Sequence, residues 1–312
     1  MTRHLSRRDL LALGGLAVGA TVASSFAAES TPKSTASFKY CLNTSTIMGQ
    51  KLSLVQQIEV VAKAGYDAIE PWIRDIETYA KEGNSLPDLK KRIADLGLTV
   101  ENAIGFAAWV VDNDSQRQKG LEQSKRDMDL VSQIGGKRVA APPIGATDQP
   151  NLNLLAAAER YRALAEIGQQ FGILPQIEIW GHSKCLSKLG EAALVATESG
   201  FPQGCILADV YHMYKGNSRY SGLRLLSSTA LQTIHLNDYP ADPPRATITD
   251  GHRVYPGDGV APLSSILKDL RAVNPHCILS LELFNRDYWK LDPLVVAKTG
   301  LEKMQSAVAQ IA

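Results

Sequence analysis

Gln232-Thr233-Ile234-His235-Leu236-Asn237 alternates strictly: Ile234 and Leu236 fall on one side, Thr233, His235 and Asn237 on the other. Side chains of a β-strand point to opposite faces in turn, so the stretch reads as a strand with one apolar face and one face bearing an imidazole. The runs around it repeat the pattern. Pro175–Trp180 sorts into Ile177 and Ile179 against Gln176, Glu178 and Trp180, and Cys205–Val210 into Ile206, Ala208 and Val210 against Cys205, Leu207 and Asp209. Cys277–Phe284 sorts into Leu279, Leu281 and Leu283 against Ser280, Glu282 and Phe284. The apolar faces are those that meet covering helices. Glu178, Asp209, His235 and Glu282 therefore converge on the opposite side, each toward the C-terminal end of its strand.

Working outward, apolar runs at Tyr40–Asn43, Ala68–Pro71, Thr99–Ala103 and Arg138–Pro142 complete a set of eight strands. Amphipathic stretches separate them, among them Leu54–Ala64, Ser85–Leu96, Gln116–Ile134, Leu152–Phe171, Leu189–Ser199 and Leu263–Val273. Strand and helix in strict alternation argue for parallel βαβ units. Eight such units suit a closed (β/α)8 TIM barrel, α/β in class, better than an open doubly wound sheet. No Gly-x-Gly-x-x-Gly follows the first strand, which weakens a dinucleotide-binding reading. Gly65, Gly97, Gly135, Gly172 and Gly200 stand where helices end, the usual place for a left-handed residue.

The first residues belong outside this fold. Arg3, Arg7 and Arg8 precede an apolar run from Leu10 to Ala23, and Ser25-Phe26-Ala27 is a small-x-small cleavage signal. Ser6-Arg7-Arg8-Asp9-Leu10-Leu11 resembles a twin-arginine export signal. The expected organisation is a signal peptide over residues 1–27, a polar linker over 28–37 and one barrel domain over 38–312. It places the protein in the periplasm or another extracytoplasmic space, with no stable membrane span once the leader is removed. Cys41, Cys185, Cys205 and Cys277 form no Cys-x-x-Cys pair and are expected as buried free thiols rather than a zinc-thiolate site. With 45% hydrophobic residues and a net charge of +1, the chain can build one large core. That charge offers no basic field for a nucleic-acid backbone.

Three carboxylates cannot share a buried rim as bare anions, because desolvation and mutual repulsion both oppose ionisation. A divalent cation removes the difficulty. Glu178, Asp209, His235 and Glu282 make a mostly oxygen donor set, which favours one Mn²⁺ foremost, with Mg²⁺, Co²⁺ or Zn²⁺ as alternatives.

Ile177-Glu178-Ile179, Leu207-Ala208-Asp209-Val210-Tyr211-His212, Ile234-His235-Leu236-Asn237-Asp238 and Leu281-Glu282-Leu283 resemble the sugar isomerase/epimerase family with the xylose-isomerase-like barrel. Gly65-Tyr66-Asp67-Ala68-Ile69-Glu70 is similar to its second-strand signature, and Tyr255-Pro256-Gly257-Asp258-Gly259 to its loop before the last helix. The resemblance implies a metal-dependent enzyme on a small carbohydrate that abstracts a proton next to a carbonyl, with a divalent ion taking up the charge of the enediolate. Glu178 and Glu282 would be ligands and also the catalytic acid/base pair, while Asp209 and His235 complete the metal site. His212 and Arg253 would contact substrate oxygens, with Arg245 competing for the latter role. Where the family's ketose epimerases carry a further glutamate, this chain has Lys184, with His182 nearby as a substrate contact. Glu70 is expected either behind the site or in a structural ion pair. Trp72, Phe106, Trp109, Trp180, Phe284 and Tyr288 are candidates for a sugar-pocket wall.

Epimerisation, isomerisation and loss of a β-substituent would all use the same ligands. A dehydratase or a non-catalytic exported carbohydrate-binding barrel is therefore the alternative, and a homo-oligomer is open. Abasic-site endonucleases share the barrel but have a His-rich three-metal site, and here the mature chain holds no histidine before His182.

Overall fold

The computed structural model describes residues 37–311. The expected leader and all of the linker except Ser37 lie outside the described residues. Eight strands are present: β1 (Lys39–Asn43), β2 (Ala68–Glu70), β3 (Thr99–Val100), β4 (Arg138–Ala141), β5 (Leu174–Glu178), β6 (Cys205–Asp209), β7 (Thr233–Leu236) and β8 (Ile278–Leu281). They pair in parallel in the order β3-β2-β1-β8-β7-β6-β5-β4. The ring closes between the ends of that series through Ala103, whose N–H donates to Arg138 O at 3.1 Å and whose carbonyl accepts from Ala140 N at 2.9 Å. The architecture is the expected TIM barrel.

Helices α1 (Leu54–Ala64), α2 (Ile73–Lys81), α3 (Leu86–Asp95), α4 (Asp114–Gln133), α5 (Leu154–Phe171), α6 (Leu189–Glu198), α7 (Val210–Lys215), α8 (Leu263–Val273) and α9 (Pro293–Ala309) connect the strands. Their starts follow local chemistry. Ser53 caps α1 in a reciprocal box with Gln56, Asn153 caps α5, and Asp209 caps α7 by accepting from His212 N. Gly65 closes α1 at φ 95° and Gly172 closes α5 at φ 67°, as their sequence positions suggested. Helix α2 was not foreseen: it follows β2 almost directly, and Trp72 at its N-cap makes no side-chain capping bond. No described helix is long and apolar enough to cross a membrane.

The outward strand residues do what their parity suggested. Ile177, Ile206, Ile234, Leu279 and Leu281 are buried in one continuous core with Leu54 and Ile58 of α1, Leu164 of α5 and Leu267 of α8. Burying each such side chain contributes about 1.5–3 kcal/mol. Two small apolar clusters fall on the opposite parity, Cys41–Ala68–Ile278 and Trp72–Ile104–Ala140–Leu207. All four cysteines are buried and free.

Strand β3 departs from the simple reading of Thr99–Ala103 as one regular strand. It pairs with β2 through Ala68↔Thr99 and Ile69↔Val100, and pairing resumes at Trp72↔Ile104. The later pair is offset by one extra residue in the β3 segment, which is a bulge. Glu101 and Asn102 occupy it, and both are buried. Glu101 meets Lys39, Lys137 and Arg138, while Asn102 reaches Glu70 at 2.6 Å.

Candidate active site

Parallel register sets the site's height. Asp209 pairs with His235 across β6 and β7, and Asn43 pairs with Glu70 across β1 and β2. Glu178 ends β5, and Glu282 follows β8 directly. Glu178, His235 and Glu282 each offer one ligand atom, and those atoms lie within 4.8 Å of one another. Asp209 stands beside this group, with Oδ2 3.6 Å from His235 Nδ1. It lies outside the compact trio, and both its oxygens are engaged: Oδ1 caps α7, and Oδ2 accepts from Asn237 at 3.1 Å and Arg253 at 2.9 Å.

The donors fit a divalent cation. Glu178 Oε2 and His235 Nδ1 are buried without a hydrogen-bond partner, and Nδ1 lies 3.0 Å from Glu282 Oε2. Unpaired buried polar atoms are costly, and a cation satisfies both at once. Burial and the neighbouring Glu282 charge push the Glu178 carboxyl up to about 8. Burial lowers the His235 pKa, but the Glu282 and Glu70 charges outweigh it and hold the ring well above its ordinary value. Both shifts follow from packing carboxylates around one imidazole in a dry site.

Glu70 was left undecided by the sequence, and the structure places it behind His235. His235 Nε2 lies 3.1 Å from each Glu70 oxygen, which orients the ring with Nε2–H toward Glu70 and turns Nδ1 to the cage. Glu70 itself accepts from Asn43, Asn102 and Ser280. Asn43, which the sequence reading missed, links two carboxylates: Nδ2 donates to Glu70 at 2.9 Å and Glu282 at 3.1 Å. Its Oδ1 accepts from Trp72 Nε1 and Ser45 N. A polar residue at the inward position ending β1 was the available signal. Asn237, likewise unassigned, holds Asp209 and the Tyr211 backbone.

Arg253 is fully buried, with its guanidinium over the Tyr211 and Phe284 rings at 4.6 and 5.2 Å. Nη1 donates to Asp209 and to Glu282 (2.7 Å), and Nη2 donates to Asp250. Asp250 was not foreseen; it sits in the long connection after β7. His212 Nδ1 faces the Gly181 N–H at 3.2 Å, and its Nε2 faces Arg253 Nη2 at 3.0 Å. The N–H groups facing both nitrogens oppose a charged ring, although Asp250 Oδ1 also stands 3.8 Å from Nε2. Burial first, and Arg253 with it, pull the His212 pKa down to about 3 against the Asp209 charge. The close approach of Gly181 needs a glycine, because a Cβ there would sit 2.1 Å from His212 O.

Above the donors opens a cavity of about 320 Å³. Glu178, His182, His212, Arg253 and Glu282 line it together with Trp72, Phe106, Trp180 and Phe284, as expected, and with Ile104 and Asp250. Trp109 requires correction. Its indole donates to Pro142 O at 2.9 Å and its ring packs on Tyr161 of α5 at 6.0 Å, so it belongs to the core, where its one polar atom has found a strand-end carbonyl. Tyr288 stacks on Tyr255 instead of lining the cavity. Arg245 bonds Asn217 at the surface, and Lys184 pairs with the exposed Asp148.

Fold and site together define a (β/α)8 barrel with a carboxylate–imidazole cage at its C-terminal rim. The chain belongs to the xylose isomerase-like TIM barrel family, whose sequence profile matches residues 58–307. It is 27% identical over 283 residues to the inosose isomerase of Bacillus velezensis, covering 87% of this chain and 98% of that one. It is 22% identical over 206 residues to the 3-dehydro-D-guloside 4-epimerase of Escherichia coli, covering 61% and 74%. A 3-dehydroshikimate dehydratase of Pseudomonas putida is 22% identical over 81% of this chain and 39% of its own length. These relatives are enzymes. Among solved structures, the IOLI protein with a bound zinc atom superposes with a TM-score of 0.81 at 21% identity, covering 88% of this chain and 99% of that one.

Proposed function

We propose that the chain is a divalent-metal-dependent isomerase or epimerase of a keto-sugar or related polyol. The observation that carries this is the pair of buried orphans, Glu178 Oε2 and His235 Nδ1, grouped with Glu282 beside a 320 Å³ cavity. Glu178, His235 and Glu282 would hold the ion, with Asp209 as fourth ligand, and Mn²⁺ is the first choice for so oxygen-rich a set. When bound, the ion supplies Lewis acidity that stabilises negative charge developing on substrate oxygen. Glu178 and Glu282 reach the substrate from two strands, so that one takes a proton beside the carbonyl and the other returns one. Their surroundings are unequal: Glu282 accepts from Arg253 and Asn43, whereas Glu178 is pushed up to about 8 by burial and by Glu282. His212 and Arg253 border the substrate volume. Loss of a β-substituent in place of reprotonation makes the same site a lyase, a second reading favoured by the dehydratase relatives.

The test is elemental analysis of the purified protein and of Asp209→Ala, followed by proton exchange of keto-sugars in deuterated water. About one ion per chain, lost in the variant, with exchange that Glu282→Gln abolishes, is the expected result. An ion-free protein that still binds sugar would leave only a carbohydrate-binding barrel. The leader reading adds a location outside the cytoplasmic membrane, tested by cell fractionation of the wild type and an Arg7→Lys/Arg8→Lys variant.

A further inference from the structure

The connection between β7 and α8 brings Asp250 and Arg253 to the cavity, yet little of its own chemistry holds it there. Asp238 and Val254 close its base, exchanging backbone hydrogen bonds at 3.0 and 2.9 Å. Between them, residues 239–249 form no helix or strand, and of residues 241–249 only Ile248 is buried. A segment with one apolar anchor and an exposed backbone opens locally at small cost. Beyond Ile248 the path to the site is short. Thr249 N donates to His252 Nδ1 at 3.1 Å across the single turn Asp250–His252, and Arg253 follows. Asp250 lines the cavity with 40% of its side chain exposed and accepts from Arg253 Nη2. Arg253 is wholly buried beneath it and donates to Asp209 and Glu282.

Lys215 supplies the missing hold. It is the last residue of α7, a place where a lysine ordinarily serves the carbonyls of its own helix. Its Nζ instead donates to Arg245 O at 3.0 Å, Ala246 O at 3.0 Å and Ile248 O at 2.8 Å. An ammonium has three N–H donors and no acceptor, so three carbonyls around it use its full capacity. Two further bonds join the same elements. The Tyr211 hydroxyl donates to Ile248 O at 3.2 Å, and Arg245 donates to the Asn217 side chain. Asp209 caps the other end of α7, so a helix of six residues carries a cage carboxylate at its start and the fastening of the connection at its end.

We propose that Lys215 is a positioning residue of the active site: it fastens the β7–α8 connection to α7, so that Asp250 stands at the cavity and Arg253 stays covered beside Asp209 and Glu282. The role rests on reading this cavity as an active site, but most of its test needs no substrate. Lys215→Cys removes the ammonium, and 2-bromoethylamine rebuilds it at the same reach, with sulfur in place of one methylene. The four native thiols are buried, so the reagent addresses the new one in the folded protein. Two measurements read the connection: hydrogen exchange of peptides over residues 239–252, and modification of Arg253 by phenylglyoxal followed by peptide mapping. In Lys215→Cys, exchange over 239–252 should quicken by about tenfold or more, and Arg253, protected in the wild type, should take label. The thermal midpoint should stay within a few degrees. Aminoethylation should restore both readings, whereas carboxamidomethylation, which adds bulk without the ammonium, should restore neither. Lys215→Met, with similar length and no donor, should match the unmodified cysteine variant and serves if that one folds poorly. Unchanged exchange with Arg253 still protected overturns the proposal, as does equal restoration by the uncharged adduct. Proton exchange of an inosose in deuterated water by the Mn²⁺-loaded proteins should show kcat/KM about tenfold lower in the cysteine variant, or about 1.4 kcal/mol, and recovered on aminoethylation. A loosened connection with kcat/KM unchanged also overturns the role. A wild type that exchanges no keto-sugar sinks the isomerase reading instead, and the Arg253 labelling still decides for or against Lys215.

Discussion

The residue that most repays attention is one that makes no contact with the cavity. Glu70 accepts four side chains, and only a carboxylate accepts all of them. In Glu70→Gln an amide N–H must face another donor, which destabilises the fold by about 1–3 kcal/mol. The variant also loosens His235, and carboxylates that orient a ligating histidine are worth about 10–100-fold in metal affinity. Competition titration with a metallochromic dye should show a loss in that range. Glu178 makes a second prediction. The metal-free carboxyl titrates at about 8, so below that pH an ion must displace a proton to bind. The His235 ring, held above its ordinary value, must give up a proton as well, so affinity should rise with pH by at least about tenfold per unit between pH 6 and 8. Titrations in buffers of different ionisation enthalpy would count the protons released; an affinity flat from pH 6 to 8 contradicts the assignment. At this scale the sequence was informative where parity decided the matter, as for Glu178, Asp209, His235 and Glu282. Trp109 was misread because an indole is equally at home in a core and in a sugar pocket, and only its partner, Pro142 O, decides which.

At the scale of elements, strands and helices were legible because period two and period 3.6 are strong signals and glycine marks helix ends. The β3 bulge was not legible. Glu101 and Asn102 look like the polar end of a regular strand, and nothing local says that both turn inward. Their consequences can be measured. Burial pushes Glu101 up, but hydrogen bonds from Lys137 and Thr99, with the Lys137 and Arg138 charges, outweigh it and hold the carboxyl at about 2. A depressed carboxyl stabilises the fold fully above its unfolded value of about 4.3, and that contribution fades as pH falls through the folded value. Glu101→Gln should therefore cost on the order of 2–3 kcal/mol in urea unfolding at pH 7, with the gap from wild type narrowing between pH 5 and 2. A gap constant across that window would place the effect in packing rather than charge.

For the whole molecule, the barrel divides its labour. Strands β5 to β8 carry the donors, whereas β1, β2 and the bulge after β3 carry the groups that hold them, through Asn43, Glu70 and Asn102. The first group announces itself as isolated charges in apolar runs. The second consists of residues at home in any loop, and is recognised only once closure brings β1 beside β8. Because the donors of one half are held by residues of the other, an ion should tighten the entire ring. At a hundredfold excess over its dissociation constant, binding to the folded state alone adds about 2.7 kcal/mol. Calorimetry should show Mn²⁺ raising the thermal midpoint, chelator reversing it, and Glu282→Gln removing most of the rise.

Cys41, Cys185, Cys205 and Cys277 are all buried and free. Burial pushes Cys205 up to about 11 and Cys277 up to about 12, so at neutral pH they stay as thiols, the poorly nucleophilic form. The folded barrel should be silent to an alkylating dye, and each molecule that opens should take up label at sulfurs hidden a moment before. The chain thus carries its own clock: the rate of labelling reads how often the ring comes apart, with no probe engineered into it.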